Sequence, residues 1–497
     1  MWILCRANSG DIRISGSFML TATELNHQTN QGVSPSVAVI GGGLAGISAA
    51  MESQKQGARV TLFERSRFLG GRVASIEMGK NHCLIDNGFH LYLESCKTLK
   101  TFHQELNLEK YFRRTDTIPF AFPGQNWSFS ASRWLPGRFQ YLPAFLSMPV
   151  LPLTERIKFL AICHYLYYRK SLENSGENFL HWLTEQGVSE QAIQRFWTPY
   201  ILSVFSETPD IVSVQAVRHV FRESLSNGRS GMSLWLPKRP LRYIYHDKIS
   251  EELRQRNIDI RFLSRIFRMK RENNRITGLE DRNGNLLTFD RYILAVGPFD
   301  AWHLLEESEL NDLSDKIDFP QYELGAITAV HLWFDRRLIE QCGVVLSDGP
   351  GQWMFCPQEQ SGNYPTELTG RTEQDKPESL GRPYAFYHQI LVSASHRLLD
   401  SDELASRSGN AFIERIVNQL GEKFPEARKA RLLSHRISTV LDAVISPNVR
   451  SFMNRPSQKT SIENLALAGD WTGTGLPSTM EGAVRSGQAA VRALFGD

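Results

Sequence analysis

Apolar and polar positions change their rhythm several times along this chain, and each change marks a structural element. A β-branched run at 37–40 meets a Gly-rich turn, and an Ala-rich stretch of helical character then runs to about Gln56. Gly57 stops that helix, and 59–63 reads as a second strand. From 98 to 234 aromatic and aliphatic residues recur mostly at helical spacing. A helix over 241–256 follows, and then short strands near 258–262, 265–270, 275–279, 286–289 and 292–296, with Asn283 and Gly284 marking a hairpin turn. Proline at 143, 149 and 152 interrupts the uncharged stretch 139–153 and argues against one continuous helix. At the far end an apolar strand from 465 leads into a second Gly-rich turn. A last helix follows, for which Ser478 or Thr479 can serve as N-cap.

The first turn carries chemistry. Gly41, Gly43 and Gly46 form a G-x-G-x-x-G pattern between strand and helix. Gly41 permits the tight turn, Gly43 lets the backbone approach a pyrophosphate, and Gly46 lets helix and strand pack closely. The helix N-terminus offers unpaired N–H groups to phosphate. Glu64 closes the second strand about twenty residues on, where a carboxylate can accept from a ribose diol. These features predict an α/β chain with a Rossmann-type dinucleotide lobe.

Composition narrows the function. The 56 basic and 53 acidic residues nearly cancel, which gives no support for a nucleic-acid partner. The cysteines at 5, 83, 96, 163, 342 and 356 lack C-x-x-C spacing, so neither a disulfide framework nor a metal site is indicated. Residues 1–35 lack the apolar core of a signal peptide and read as a disordered extension, with Met19 a plausible alternative start. No stretch reaches the roughly twenty apolar residues of a spanning helix. Residues 358–383 lack periodicity and read as an exposed loop.

The turn Gly70, Gly71 and Arg72 just after Glu64 and Arg65, answered by Gly469 and Asp470 far downstream, resembles the flavin amine oxidase and carotenoid desaturase superfamily. The resemblance implies FAD in a glutathione reductase-like lobe that is discontinuous in sequence. The expected parts are 36–97, 235–298 and 462–497 for the FAD lobe, with 98–234 (helical) and 299–461 forming an α+β substrate lobe. It also implies that the Gly-Gly-Arg turn lies along the pyrophosphate and flavin, that Asp470 faces the ribityl and phosphate portion, and that a backbone group near Ile266 meets the adenine edge. N–H groups around Met480 to Gly482 would face O2 of the flavin.

Further segments narrow the resemblance: Asp86 to His90, Phe196 to Tyr200 with Ser213 to Gln215, Leu236 to Leu241, and the ending Leu476 to Gly487. Together they are similar to the hydroxysqualene dehydroxylases, FAD enzymes of bacterial squalene and hopanoid synthesis. Phe89 stands where that family usually has a glutamine. The implied reaction removes a hydroxyl from a C30 isoprenoid as water and adds hydride, which requires an acid. Asp86, His90 and Glu481 are the expected candidates, although each also has an ordinary structural reading. Phe120, Phe122, Trp127, Phe145, Phe196, Trp197, Tyr200 and Phe205 are expected to line a tunnel in part, the others being core. Alternatives are a carotenoid desaturase or isomerase and, from another class, a flavin-stabilised scaffold.

With one dinucleotide motif, reducing equivalents are expected from a separate reductase, and prenyl synthases are the implied upstream partners. The stretch 139–153, the tyrosine-rich 159–168 and the basic pair Arg169 and Lys170 predict either a bilayer-docking surface or a buried helix pair. The expected location is the cytoplasm, peripheral on the inner face of the membrane.

Overall fold

Five parallel strands organise the dinucleotide-binding half, in the order Asp259–Arg261, Arg59–Phe63, Ser36–Ile40, Arg291–Leu294, Leu465–Leu467. The computed structural model describes residues 34–78, 83–169, 176–226, 231–314, 316–319, 322–357, 385–400 and 410–496. The expected N-terminal extension, apart from Ser34 and Pro35, and the expected loop 358–383 lie outside them.

The central strand Ser36–Ile40 is buried at Val37, Ala38, Val39 and Ile40, as a strand covered on both faces must be. Its neighbours come from remote parts of the chain: Val37 pairs with Val60 on one side and with Arg291 on the other. The first helix, Leu44–Lys55, packs against the last, Met480–Phe495. A Cβ on Gly487 would lie 2.3 Å from the Ala45 carbonyl, and Ser48 Oγ donates to the Val484 carbonyl at 2.9 Å. Only glycine permits this approach, which binds the two ends of the chain together.

A second, seven-stranded sheet runs in the order Leu432–Ile445, Leu324–Phe334, Phe386–Val392, Trp353–Phe355, Gly343–Leu346, Thr117–Phe122, Gln125–Ser130. Its pairs are antiparallel except where Val345 and Leu346 run parallel to Phe120 and Ala121. Helix Asn410–Lys423 covers part of the sheet through Phe412, Ile413, Ile416 and Leu420. Within the mostly helical 98–234, Phe112–Thr115, Thr117–Phe122 and Gln125–Ser130 are strands that the spacing did not predict. Gly124, at φ +69°, turns the last two into a hairpin.

The remaining part of that segment is helical. Leu153–Tyr168, Phe179–Glu185, Thr198–Phe205 and Val214–Ser226 share a core around Phe159, Trp182 and Trp197. As the prolines require, 139–153 is broken, with a short helix at Leu142–Leu146 and a fresh start at Leu153. A π-helical turn at Ile193–Trp197 interrupts the run into Thr198–Phe205. Buried Glu207 ties these helices to the large sheet: Arg397 Nε donates to it at 2.6 Å, and His396 Nε2 lies 3.6 Å away.

Candidate functional site

Three glycine turns converge at the top of the parallel sheet. Gly41 sits at φ +111°, and a Cβ there would meet the Ala295 carbonyl at 2.5 Å. A Cβ on Gly46 would come within 1.8 Å of the Gly41 carbonyl oxygen. At Gly43, by contrast, nothing lies within 4 Å of the Cβ direction, so its backbone faces open space. Gly43 also N-caps the first helix without any side-chain hydrogen bond, and no acid occupies that first turn. Open space in front of unpaired N–H groups is what a pyrophosphate needs.

The second turn lies directly beside the first. Gly70 N donates to the Gly42 carbonyl at 2.9 Å, and a Cβ on Gly71, at φ +61°, would be 3.2 Å from Gly43 Cα. Glu64 holds both turns: its buried carboxylate accepts from Gly42 N and Ser66 N, each at 2.7 Å. Carboxylate oxygens keep further lone pairs, so a ribose diol can share them. Ser264 N donates to the Glu64 carbonyl at 2.9 Å, which brings the approach to Ile266 alongside. Ile266 itself is buried and pairs with Asp281, so any adenine contact there belongs to the backbone just before it. Arg65 points outward and pairs with Asp300 at 2.7 Å.

The third turn closes the site. Gly469, at φ +145°, donates its N–H to Ser486 Oγ at 2.8 Å. Arg72 Nη2 reaches Asp470 Oδ1 at 2.5 Å, and Ser478 Oγ donates to the other oxygen. Burial would raise the Asp470 pKa, but Arg72, Ser478 and Arg455 outweigh it and hold the carboxyl below its usual range. Arg455, which the sequence reading missed, supports the same turn by donating to the carbonyls of Asp470 at 2.8 Å and Leu476 at 2.5 Å. Thr479 is the N-cap of the last helix and accepts from Gly482 N at 3.1 Å. The N–H groups left for a flavin are therefore those of Met480 and Glu481, and the expected contribution of Gly482 is corrected.

The three candidate acids fall in different surroundings. Asp86 is buried, and its Oδ1 accepts from Ser75 Oγ at 2.6 Å and Leu241 N at 2.8 Å, which ties a hairpin to a helix start. His90 Nδ1 lies 2.7 Å from the Gly88 carbonyl and so carries the proton; burial, with help from Arg72, lowers its pKa. Glu481 accepts from Thr98 N at 3.2 Å, Leu99 N at 2.7 Å and Arg485 Nε at 2.7 Å. Each carboxylate thus already serves its neighbours, and only Glu481 borders the cavity described next.

That cavity, of 330 Å³, extends from Leu476, Pro477, Thr479 and Met480 into the helical region. Its walls are apolar and aromatic. Of the eight expected tunnel aromatics all but Phe205 line it, more than the part expected, because the hairpin 117–130 and the π-helical turn both present rings inward. Phe205 is buried in the helical core instead. Charged groups are confined to Arg195, Glu223, Glu481 and Arg485. Glu223 and Arg485 escaped the sequence reading, although Glu481 and Arg485 stand at i,i+4 spacing, a signal for a pair on one helix face.

Comparison with known proteins agrees with this geometry. The family model for flavin containing amine oxidoreductases matches residues 44–495. A 15-cis-phytoene desaturase from an Oncidium hybrid cultivar is 24% identical over 93% of this chain and 78% of its own length. A zeta-carotene desaturase from Synechocystis is 24% identical over 92% and 97%. A hydroxysqualene dehydroxylase from Zymomonas mobilis is 23% identical over 91% and 97%. Among solved structures, an oxidoreductase from Methanosarcina mazei has TM-score 0.67 at 18% identity, covering 93% of this chain and 100% of that one. A putrescine oxidase has TM-score 0.61 at 12% identity, covering 94% and 100%. The open cradle at Gly43, the buried Glu64 carboxylate beside it and the capped final helix fit FAD, and the chain belongs to the flavin containing amine oxidoreductase family as an FAD-dependent oxidoreductase.

Proposed function

We propose that the protein reduces hydroxysqualene to squalene with loss of water. The observation that carries this reading is the apolar, aromatic-lined cavity that ends against Leu476–Met480, the edge expected to face the flavin. A C30 isoprenoid has almost no polar handle, and burial at about 0.8 kcal/mol per methylene supplies its affinity. When bound in its reduced form, FAD would supply the hydride added to the substrate carbon and, as FADH2, the proton that leaves with the hydroxyl as water. The protein's part is to exclude water, to hold the chain extended along rings such as Phe120, Trp127 and Tyr200, and to place the hydroxyl-bearing carbon at the Leu476–Met480 end. Aromatic faces there also stabilise positive charge that develops as the C–O bond breaks. His90 and Arg72 are proposed at the flavin rather than at the lipid.

The residues quoted from Phe196 to Tyr200 and from Leu476 to Gly487 favour the dehydroxylase. The relatives that act on phytoene and zeta-carotene favour a second reading, oxidation of a longer polyene in the same cavity. Incubating the enzyme with an equal mixture of hydroxysqualene and a phytoene-type polyene, once reduced and once oxidised, separates the two. Squalene from the reduced enzyme alone supports the dehydroxylase; a desaturated polyene from the oxidised enzyme replaces it with the desaturase.

We also propose that the helical region docks on a lipid surface. Among the described residues no helix is long and apolar enough to cross a membrane. Trp134, Phe139, Leu146, Leu153, Ile157 and Tyr168 are nevertheless exposed, and Phe145 and Phe159 on the same helices, with Met148 between those helices, line the cavity. Apolar residues facing outward beside a greasy cavity suit entry of a lipid from a bilayer. Flotation with anionic vesicles should carry the native protein upward and lose it in a Leu153→Glu, Ile157→Glu variant. Native protein that stays at the bottom removes this part of the account.

A further inference from the structure

The cavity is apolar except at Arg195, on the π-helical turn, and where an ion-paired chain crosses its wall beside Met480. Arg485, one turn into the last helix, donates from Nε to Glu481 at 2.7 Å. Its Nη1 and Nη2 reach Glu223 Oε1 and Oε2 at 3.4 and 3.2 Å. Glu481 is itself fixed by the N–H groups of Thr98 and Leu99 at the start of helix Lys97–Glu105. Arg485, Glu481 and Glu223 all border the cavity, and so does Met480 at the start of the same helix.

A charged chain on an apolar wall is costly to keep there without a use. Glu481, 5% exposed, is the desolvated member, and burying its charge opposes folding, whereas Glu223 keeps 40% of its exposure. The guanidinium side chain is part-exposed at 29%, so it is neither withdrawn into the protein nor free in water. A guanidinium also has more N–H donors than the bonds to Glu481 and Glu223 use. Those donors belong to a side chain that borders the cavity.

We propose that Arg485, held between Glu481 and Glu223, is the binding residue that takes the hydroxyl oxygen of the lipid substrate. This deepens the function proposed above and rests on it. The guanidinium donates to the hydroxyl oxygen, and Glu223 accepts the hydroxyl hydrogen. The lipid is thereby registered along a mostly apolar cavity, with its oxygen-bearing carbon near Met480. Squalene lacks that oxygen, so the contact that selects the substrate is lost in the product. A hydrocarbon polyene gains nothing from the pair and leaves the charges facing its chain, a penalty that acts as selection against it.

The test is equilibrium competition between hydroxysqualene and squalene for the oxidised, FAD-loaded protein, which binds but does not turn over. The native protein should prefer the hydroxylated lipid about ten- to a hundredfold, the usual range for a hydrogen bond to a charged group. Arg485→Met should reduce the preference to within about threefold, with flavin content and squalene affinity retained. If that variant loses its flavin, Glu223→Gln provides the second test, since it keeps the cation and its anchor at Glu481; it should weaken the preference at least threefold. A native protein without preference, or variants that keep the full preference, would overturn the assignment. Failure here is distinct from failure of the function itself: a reduced native enzyme that converts hydroxysqualene to squalene while showing no binding preference leaves the function standing and removes only the role of Arg485.

Discussion

The cofactor turns and the lipid cavity are built by opposite means. At the turns the carboxylates have named partners: Glu64 serves two backbone N–H groups, Asp470 is shared by Arg72 and Ser478, and Gly46 leaves no room for one added carbon. In the cavity, rings from the hairpin, the π-helical turn and the large sheet share one apolar surface. A site of the first kind fails when a single atom is misplaced. A site of the second kind loses affinity by increments of buried area.

The largest effect should come from Gly46→Val, because even its first added carbon would lie 1.8 Å from the Gly41 carbonyl oxygen. We expect protein without visible flavin absorbance, or none that is soluble. A flavin-loaded Gly46→Val protein would show that the turn has slack the geometry denies.

The Glu207 clamp, which joins the helical wall to the sheet, should come next. Burial pushes this carboxyl up, but His396, Arg397 and the Thr208 N–H outweigh it and bring it down to about 2. Because the folded value lies below the unfolded one of about 4.3, the clamp's stability is fully present above that value. It is lost as pH falls from there toward 2. The melting temperature of the native protein should therefore fall more steeply over that window than that of Glu207→Gln. At neutral pH the substitution itself should cost about 3 kcal/mol, the low end for breaking a buried pair, since Arg397 is partly solvated. Parallel melting curves for the two proteins would contradict it.

Asp470→Ala sharpens the contrast from the cofactor side. Its carboxylate is buried while Arg72 is 39% exposed, so about 2 kcal/mol is expected after screening, read as faster loss of FAD on dilution. Smallest should be Phe120→Ala in the cavity wall, with normal flavin content and a rise of about tenfold in KM, equivalent to about 1.4 kcal/mol of lost apolar contact. A Phe120→Ala protein that also loses its flavin would mean the two regions are not separable in this way.

The same contrast explains what could be read from the chain. Gly41, Gly43, Gly46 and Glu64 lie within one strand, helix and strand unit, so their spacing fixes their geometry, and the helix and strand limits at Lys55 and Arg59 fall where the glycines place them. Thr479 was legible as a cap for the same local reason. Asp86 and Glu481 were not, because their partners are the N–H groups of Leu241 and Leu99, far along the chain. No local pattern reveals whether a carboxylate will meet a substrate or a distant helix start. The hairpin 117–130 was missed because its aromatic residues suit both a helix and a half-buried strand, and pairing of Phe120 with Val345 decides between them.

In the function proposed, this apolar cavity serves reduction of a hydroxylated C30 lipid. Anaerobic mixing of the photoreduced flavoprotein with hydroxysqualene, followed by flavin absorbance and mass spectrometry of the extracted lipid, tests it most directly. We expect reoxidation of the flavin with one squalene formed per flavin. A flavin that stays reduced beside unchanged hydroxysqualene would contradict it.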